Sequence, residues 1–222
     1  MTTSKACLSW SSGKDCAFAL HVARGQGDLD ITHLLTTVNS HFDRVAMHGT
    51  RVEILRRQAE AVGLPLIEVP LPWPCANAQY EALMAEATAN LTRDGIRDMV
   101  FGDLYLEDIR AYRDERMAEA GMTAHYPLWQ RPTIELARDM LGAGVEAYVA
   151  TVDPSKLDAS FSGRLWDAAF IADLPGGIDP CGEYGEFHTC VVNGPAFREP
   201  LRIETGETVI RDGFAYTDLH LI

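Results

Sequence analysis

The fold class is decided by residues 6–16, which read ACLSWSSGKDC. The first five are an apolar run of the length of a buried strand, and the pattern predicts a helix over residues 15–24. A short polar turn, Ser11 to Lys14, lies between the strand and the helix. A buried strand, a tight turn and a helix in this order are typical of the first unit of an α/β sheet.

The same alternation continues through the first two-thirds of the chain. Apolar residues recur every three or four positions in the intervening helical stretches. Strands that alternate with helices form a parallel sheet with right-handed crossovers. We therefore predict a doubly wound, Rossmann-like α/β domain over residues 1–129. Its further strands are predicted at 31–38, 66–69 and 99–101, and its further helices at 52–62, 77–91 and 106–120.

The last third of the chain follows a different pattern. It is too short for a second doubly wound unit, and its final forty residues resemble strands more than helices. We predict a smaller α+β domain over residues 130–222, packed on the first. Its helices are predicted at 133–141 and 163–173, and its strands at 145–152, 187–192, 201–204, 208–211 and 214–219.

Composition narrows the function classes. The 222 residues are 47% hydrophobic and 23% charged, which is typical of a globular protein. Nineteen Lys and Arg against 32 Asp and Glu give a net charge of −13, which disfavours binding to nucleic acid. No apolar run approaches the ~20 residues of a membrane span, and the N-terminus lacks a signal-peptide pattern. We expect a cytoplasmic protein, with reduced thiols for its five cysteines; oligomeric state stays open.

The turn after the first strand has the chemistry of a phosphate-binding loop. Ser11, Ser12 and Gly13 are small enough for the backbone to approach an anion, and the helix start offers N–H groups and a positive dipole end. Lys14 adds a full charge, and Asp15 could hold Mg²⁺. The P-loop and dinucleotide patterns both fail here. On this segment alone, an ordinary capped turn stays open as the alternative.

Residues 11–16 resemble the S-G-G-K-D-S loop of the ATP-pyrophosphatase, or adenine nucleotide alpha-hydrolase-like, superfamily. A second block at 179–189, DPCGEYGEFHT, resembles the E-x-G-E-[FY]-x-T signature of the diphthine–ammonia ligase family. Further elements of that family occur in the family's order, so matching blocks span residues 9 to 197. They are Met47-His48, which lacks the aromatic residue of the family's Met-aromatic-His element, Gly102-Asp103, Pro127-Leu128-Trp129, Gly163-Arg164 and, after the second block, Gly194-Pro195 and Phe197.

The resemblance implies an ATP- and Mg²⁺-dependent ligase that forms an amide. A substrate carboxylate, free or on a protein, would be activated as an acyl-adenylate with release of pyrophosphate. Ammonia or an amine would then displace AMP. Residues 107–113 depart from the family's Tyr-Gln-Arg-x-Arg pattern, so the acceptor stays open. The alternative is an adenine-nucleotide sensing module without turnover.

The resemblance and the positions of the residues together assign candidate roles. Asp103 follows an apolar strand at the edge where open α/β sheets bind ligands. Glu183 and Glu186 lie three apart in a glycine-flanked turn, where carboxylates could bind Mg²⁺, an amine or only water. The catalytic candidates are Lys14, Asp103, Glu183 and Glu186. The ATP-binding candidates are Ser11, Ser12, Gly13, Lys14, Asp15, Cys16, Val38, Asn39, His48 and Gly102, with Asp15 as the metal ligand. The substrate-binding candidates are Glu107, Arg110, Arg164 and Thr189.

Overall fold

The computed structural model describes residues 3–222 and contains two β-sheets. The N-terminal sheet has five parallel strands in the order β4-β2-β1-β5-β6, and the short β3 runs antiparallel to the end of β2. This mostly parallel sheet confirms the predicted α/β class. Its strands are β1 (Ser4–Ser9), β2 (Leu29–Asn39), β3 (Arg44–Val45), β4 (Leu66–Leu71), β5 (Asp98–Val100) and β6 (Thr123–His125).

Helices cover both faces of this sheet. Ala6 and Leu8 of β1 belong to one core cluster, whereas the intervening Cys7 belongs to another. Successive side chains of a strand point to opposite faces, so the two clusters lie on opposite sides of the sheet. The first contains apolar residues of α1 and α2, and the second those of α3 and α4. The helices are α1 (Lys14–Gln26), α2 (Val52–Val62), α3 (Asn77–Arg93) and α4 (Glu107–Glu119).

The C-terminal part forms an antiparallel sheet in the order β8-β7-β10-β9. Inward-facing residues of β7 and β8 share a core cluster with β1 and α1, so the two sheets are joined by continuous apolar packing. The predicted domain boundary at 129/130 falls between β6 and α5 and stays a prediction. The elements are α5 (Thr133–Gly142), β7 (Glu146–Val152), α6 (Ala168–Asp173), β8 (Phe187–Asn193), β9 (Ile203–Arg211) and β10 (Phe214–Leu221).

The structure corrects several element boundaries. The helix predicted over 163–173 is wrong in its first half, because Gly163 has a φ of +83° and Leu165 bridges Tyr148 of β7. Asp167 then begins α6 by accepting a hydrogen bond from the Phe170 N–H. The strands predicted at 201–204 and 208–211 are one continuous strand, β9. In residues 3–222, no helix is long and apolar enough to cross a membrane.

Candidate active site at the switch point of the parallel sheet

The candidate site lies where the strand order of the N-terminal sheet reverses. The chain proceeds from β1 to β2 and β4 on one side, then returns to β5 and β6 on the other. Open α/β sheets bind ligands outside the carboxyl ends of the strands at such a point. A pocket of about 200 Å³ opens there between the two parts of the chain. It is lined by Ser9, Ser11, Lys14, Asp15, Cys16, His48, Phe101, Gly102, Asp103, Arg113, Cys181, Gly182, Glu183, Phe187, His188 and Thr189.

The loop between β1 and α1 is held in an unusual backbone conformation. Ser12 is fully buried and has a φ of +72°, a region where a non-glycine residue costs roughly 1–2 kcal/mol. Its carbonyl accepts hydrogen bonds from the Val191 N–H (2.9 Å) and from Gln58 Nε2 (3.2 Å). The glycine of the similar loop quoted above would adopt this φ without strain. Ser12 shapes the loop, and its side chain lies away from the pocket lining.

Thr189 connects this loop to the C-terminal sheet. Its hydroxyl accepts a hydrogen bond from the Lys14 N–H at 3.1 Å, and a Cβ added to Gly13 would lie 3.4 Å from the Thr189 carbonyl oxygen. The predicted substrate-binding residue therefore lines the pocket and also fixes the first N–H of α1. The two sequence blocks at 11–16 and 179–189 meet in the folded chain.

Lys14 is almost completely buried, at 1% exposure. Its ammonium donates to both carboxylate oxygens of Asp15, at 3.0 and 2.9 Å, and to the Cys181 carbonyl. The rings of Trp166 and Phe187 lie 5.3 and 5.6 Å from Nζ. Burial alone would lower the pKa of Lys14, but the charge and hydrogen bond of Asp15, together with Cys181 and Asp179, outweigh it and the pKa is raised. Lys14 is therefore charged at neutral pH.

Glu183 and Glu186 hold the loop that closes the pocket. The Glu183 carboxylate accepts hydrogen bonds from the N–H groups of Leu104 (3.1 Å) and Tyr105 (2.9 Å), and burial raises its pKa. Glu186 is 3% exposed and accepts from the N–H groups of Asp179 and Tyr184. Of these two carboxylates, only that of Glu183 belongs to a residue that lines the pocket. The geometry gives Glu186 a loop-stabilising position away from the pocket lining.

Asp103 forms an ion pair with Arg113, a residue that the sequence analysis did not select. The distance from Arg113 Nε to Asp103 Oδ2 is 3.0 Å, and Nη2 donates to Oδ1 at 3.2 Å. The guanidinium also lies 4.4 Å from the centre of the Phe101 ring. Arg113 is one of several charged residues on α4, so the helical pattern alone does not indicate that it faces the pocket.

Gly102 allows the loop after β5 to pass close to α1. A Cβ at this position would lie 2.9 Å from the Cys16 nitrogen and 3.0 Å from the Asp15 carbonyl carbon. Both neighbours are backbone atoms, so a side chain here would push the loop away from the start of the helix. Cys16 itself is buried, which raises the pKa of its thiol to about 11. That thiol stays protonated at neutral pH and is a poor nucleophile.

His48 and His188 form a pair at the edge of the pocket, with ring centres 4.7 Å apart. Burial and the proximity of His188 lower the pKa of His48 to about 3. Burial and the charge of Lys14 lower the pKa of His188 to about 4. Both imidazoles are therefore neutral near pH 7. His48 is among the ATP-binding candidates predicted from the sequence, whereas His188 is not.

Besides Ser12, Gly13 and Glu186, five more predicted residues lie outside the pocket lining. Val38 is a core residue paired with Val45 and Pro70, and Asn39 accepts hydrogen bonds from the His41 and Phe42 N–H groups. Both edges of β2 are thus already paired at the predicted adenine site. The other three are Glu107, exposed on α4, Arg110, stacked on Tyr126 and Trp129, and Arg164, paired with Asp173.

The carboxylates of the pocket suit a hard cation only in part. In residues 3–222 there is no group of three or more His, Cys, Asp or Glu side chains placed to hold a metal ion. Mg²⁺ commonly uses one or two carboxylates and takes its remaining ligands from water and phosphate. Asp15, next to the phosphate-type loop, fits that kind of site.

Family models match both parts of the chain. The model described as "Diphthamide synthase N-terminal domain" matches residues 4–124, and "Diphthamide synthase C-terminal domain" matches residues 132–220. The chain belongs to the diphthamide synthase family. This membership confirms the resemblance to diphthine–ammonia ligases drawn from the two sequence blocks.

Curated relatives support the same membership of the diphthamide synthase family. The diphthine–ammonia ligase of Rattus norvegicus is 30% identical over 94 residues, which are 40% of this chain and 35% of that protein. The human protein of that name is 30% identical over 107 residues, 42% of this chain and 40% of the relative. The Bos taurus protein is 23% identical over 211 residues, 89% of this chain and 78% of the relative. The first two alignments thus span well under half of the relatives' length, and the relatives' names indicate a ligase.

Proposed function

We propose that this protein is an ATP-dependent ligase that forms an amide from a substrate carboxylate and ammonia or an amine. The observation that carries the proposal is the contact between Thr189 of β8 and the Lys14 N–H of the loop. This contact brings a phosphate-type loop and the C-terminal residues to one pocket at the sheet's switch point. Membership of a family whose curated relatives are named diphthine–ammonia ligases supports the same activity.

In the proposed complex, the first turn of α1 binds the phosphates of ATP. Helix N-termini present free N–H groups and a partial positive charge to anions. Asp15 would hold Mg²⁺, which would neutralise charge on the departing pyrophosphate. In this structure the Lys14 ammonium donates to both Asp15 oxygens. Once Asp15 binds Mg²⁺, those donors of Lys14 would become free for phosphate oxygens.

The chemistry we propose has two displacement steps. A substrate carboxylate oxygen attacks the α-phosphorus of ATP, the bond to the bridging oxygen breaks, and pyrophosphate leaves. Neutral ammonia or an amine then attacks the acyl carbon, AMP departs, and the nitrogen loses a proton. The chain must hold the carboxylate in line and exclude water from the acyl-adenylate. Closure of the pocket by Glu183, which ties its loop to residues 104–105, would serve this purpose.

The partners of this reaction follow as proposals. The carboxylate of diphthine on a protein is the acceptor that the relatives' names suggest. We propose a cytoplasmic site of action and no role for nucleic acid, since the net charge of −13 repels phosphate backbones.

Nucleotide affinity tests the proposal directly. Mg·ATP should raise the melting temperature, because a ligand that binds only the folded state stabilises it by RT ln(1 + [L]/Kd). Lys14→Ala should weaken ATP more than AMP, because the ammonium is expected to contact the outer phosphates. No shift with millimolar ATP in the wild type would refute the proposal. Tight ATP binding without turnover of any carboxylate would favour the sensing module instead.

A further inference from the structure

The pocket is lined by two cationic side chains, Lys14 and Arg113, which differ in how many of their hydrogen-bond donors are already bonded. A lysine ammonium has three donors, and those of Lys14 face two Asp15 oxygens and the Cys181 carbonyl. With 1% exposure, its ammonium has no donor left in this state for a ligand in the pocket. An anionic ligand group that entered the pocket in this state would therefore need a cation other than Lys14.

Arg113 is placed to be that cation. It reaches the pocket from α4, which packs on the face of the sheet opposite α1, and its side chain is 31% exposed. A guanidinium has five N–H donors; Nη2 donates one hydrogen bond to Asp103, and Nε lies 3.0 Å from Asp103 Oδ2 without hydrogen-bond geometry. Apart from these, three donors are left, and within residues 3–222 the structure shows no acceptor bonded to Nη1.

The guanidinium is also held in a fixed orientation. Its Cζ lies over the Phe101 ring, 4.4 Å from the ring centre, and the Asp103 carboxylate, with a 16% exposed side chain, pairs with its Nε and Nη2 edge. An arginine fixed in this way loses little freedom on binding and can donate two parallel hydrogen bonds to a planar or tetrahedral oxyanion. The other arginines near this wall are engaged elsewhere, as described above for Arg110.

We propose that Arg113 forms an oxyanion subsite of the pocket, for a carboxylate or phosphate group, and that Asp103 positions it. This inference rests on the proposed function only for the identity of the anion. If the source is the substrate, Arg113 holds the carboxylate that attacks ATP. If the source is the nucleotide, Arg113 holds the outer phosphates that leave as pyrophosphate.

Binding of four probes to wild type and variants tests the subsite. Isothermal titration calorimetry would measure Mg·ATP, adenosine, pyrophosphate and acetate with Arg113→Gln, Arg113→Lys and the control Arg116→Gln. Arg116 is on the same helix, lies over Tyr112 and pairs with Glu119, but it does not line the pocket. Circular dichroism and melting temperature would establish that each variant is folded. If Arg113→Gln does not fold, Arg113→Lys replaces it in the comparison, because lysine keeps the charge and the aliphatic stem.

A phosphate subsite predicts that Arg113→Gln weakens ATP and pyrophosphate by about 10- to 100-fold, the loss typical of a charged hydrogen-bond pair. A carboxylate subsite predicts the loss for acetate, with ATP unchanged. In either case Arg113→Lys should recover only part of the affinity, and Arg116→Gln should match the wild type.

The subsite is refuted if every probe binds Arg113→Gln as tightly as wild type, if adenosine loses as much affinity as ATP, or if neither pyrophosphate, acetate nor ATP binds wild type. Failure of the proposed ligase function looks different. In that case ATP does not bind wild type, whereas pyrophosphate or acetate still binds and still depends on Arg113.

Discussion

Thr189 of the C-terminal sheet contacts the first residue of helix α1. Its hydroxyl accepts from the buried Lys14 N–H. Thr189→Val keeps the shape and removes the acceptor, so it should cost about 1–3 kcal/mol of unfolding free energy through an unsatisfied buried donor. Urea denaturation measures this loss, and Thr189→Ser, which keeps the hydroxyl, should retain most of the stability. Equal losses in both variants would show that the methyl group matters and not the hydrogen bond.

The two buried histidines predict how stability depends on pH. Their folded pKa values, about 3 for His48 and about 4 for His188, lie below the value near 6.5 of an unfolded histidine. The unfolded chain therefore binds more protons below pH 6.5, and stability should fall as pH decreases. The slope is at most about 1.4 kcal/mol per pH unit for each histidine. Glu183, with its raised pKa, contributes in the opposite direction.

Denaturation curves at pH 7, 6 and 5 would measure this slope. His48→Gln and His188→Gln should each reduce it, because neither glutamine takes up a proton. A slope that both substitutions leave unchanged would contradict the assignment of neutral, buried imidazoles.

A residue of the site can be predicted from the sequence only where it belongs to a local sequence pattern. Ser11, Lys14, Asp15 and Cys16 belong to one strand–helix junction, and Asp103 follows a strand, so their places at the pocket follow from topology. Arg113 and His188 reach it from helix α4 and strand β8 through tertiary packing. Val38 and Asn39 lie outside the pocket lining, where the two-residue strand β3 pairs with them, and their contact with adenine stays a prediction.

At the scale of elements, the approach of the β5 loop to α1 gives a further prediction. Gly102→Ala places a methyl group 2.9 Å from the Cys16 nitrogen, so we expect a loss of about 1–3 kcal/mol from overpacking and weaker binding of Mg·ATP. Gly25→Ala, within α1, is the matched control, because nothing lies within 4 Å of its Cβ position. It should stabilise the protein by about 0.5–1 kcal/mol through helix propensity. Thermal melts with and without nucleotide compare the two, and an unaffected Gly102→Ala would contradict the close approach.

Most elements of the fold follow from periodicity, and the exceptions have physical causes. Long amphipathic helices such as α2 repeat apolar residues over several turns, so the pattern identifies them. The short strands β3 and β6 have two and three residues, too few to show alternation. The start of α6 depends on the φ of Gly163 and the bridge of Leu165, which are set by tertiary contacts with β7.

For the whole molecule, Asp218 connects the two sheets. Its carboxylate on β10 accepts hydrogen bonds from Arg44 Nη1 (2.7 Å) and Arg51 Nη2 (2.6 Å), which precede α2. Although partial burial opposes it, the two guanidinium groups lower the pKa of Asp218. Its stabilisation is therefore present above the unfolded value near 3.9 and is lost as pH falls through the folded one.

Replacing this carboxylate measures what the connection contributes. Asp218→Asn should reduce the unfolding free energy by about 1–3 kcal/mol. Asp173→Asn breaks the exposed pair with Arg164 and should cost less than about 1 kcal/mol. Equal effects in urea denaturation would show that Asp218 behaves as an ordinary surface charge.

The proposed ligase reaction requires that the pocket bind ATP for cleavage between the α and β phosphates. The most direct test of this requirement uses ATP labelled at the α-phosphate and, in a parallel reaction, ATP labelled at the γ-phosphate. Each is incubated with the protein, Mg²⁺ and a carboxylate with ammonium, and the products are separated by thin-layer chromatography. We expect labelled AMP from the first reaction and an equimolar amount of labelled pyrophosphate from the second, and loss of both in Lys14→Ala. Labelled ADP from the first and labelled inorganic phosphate from the second would contradict cleavage between the α and β phosphates.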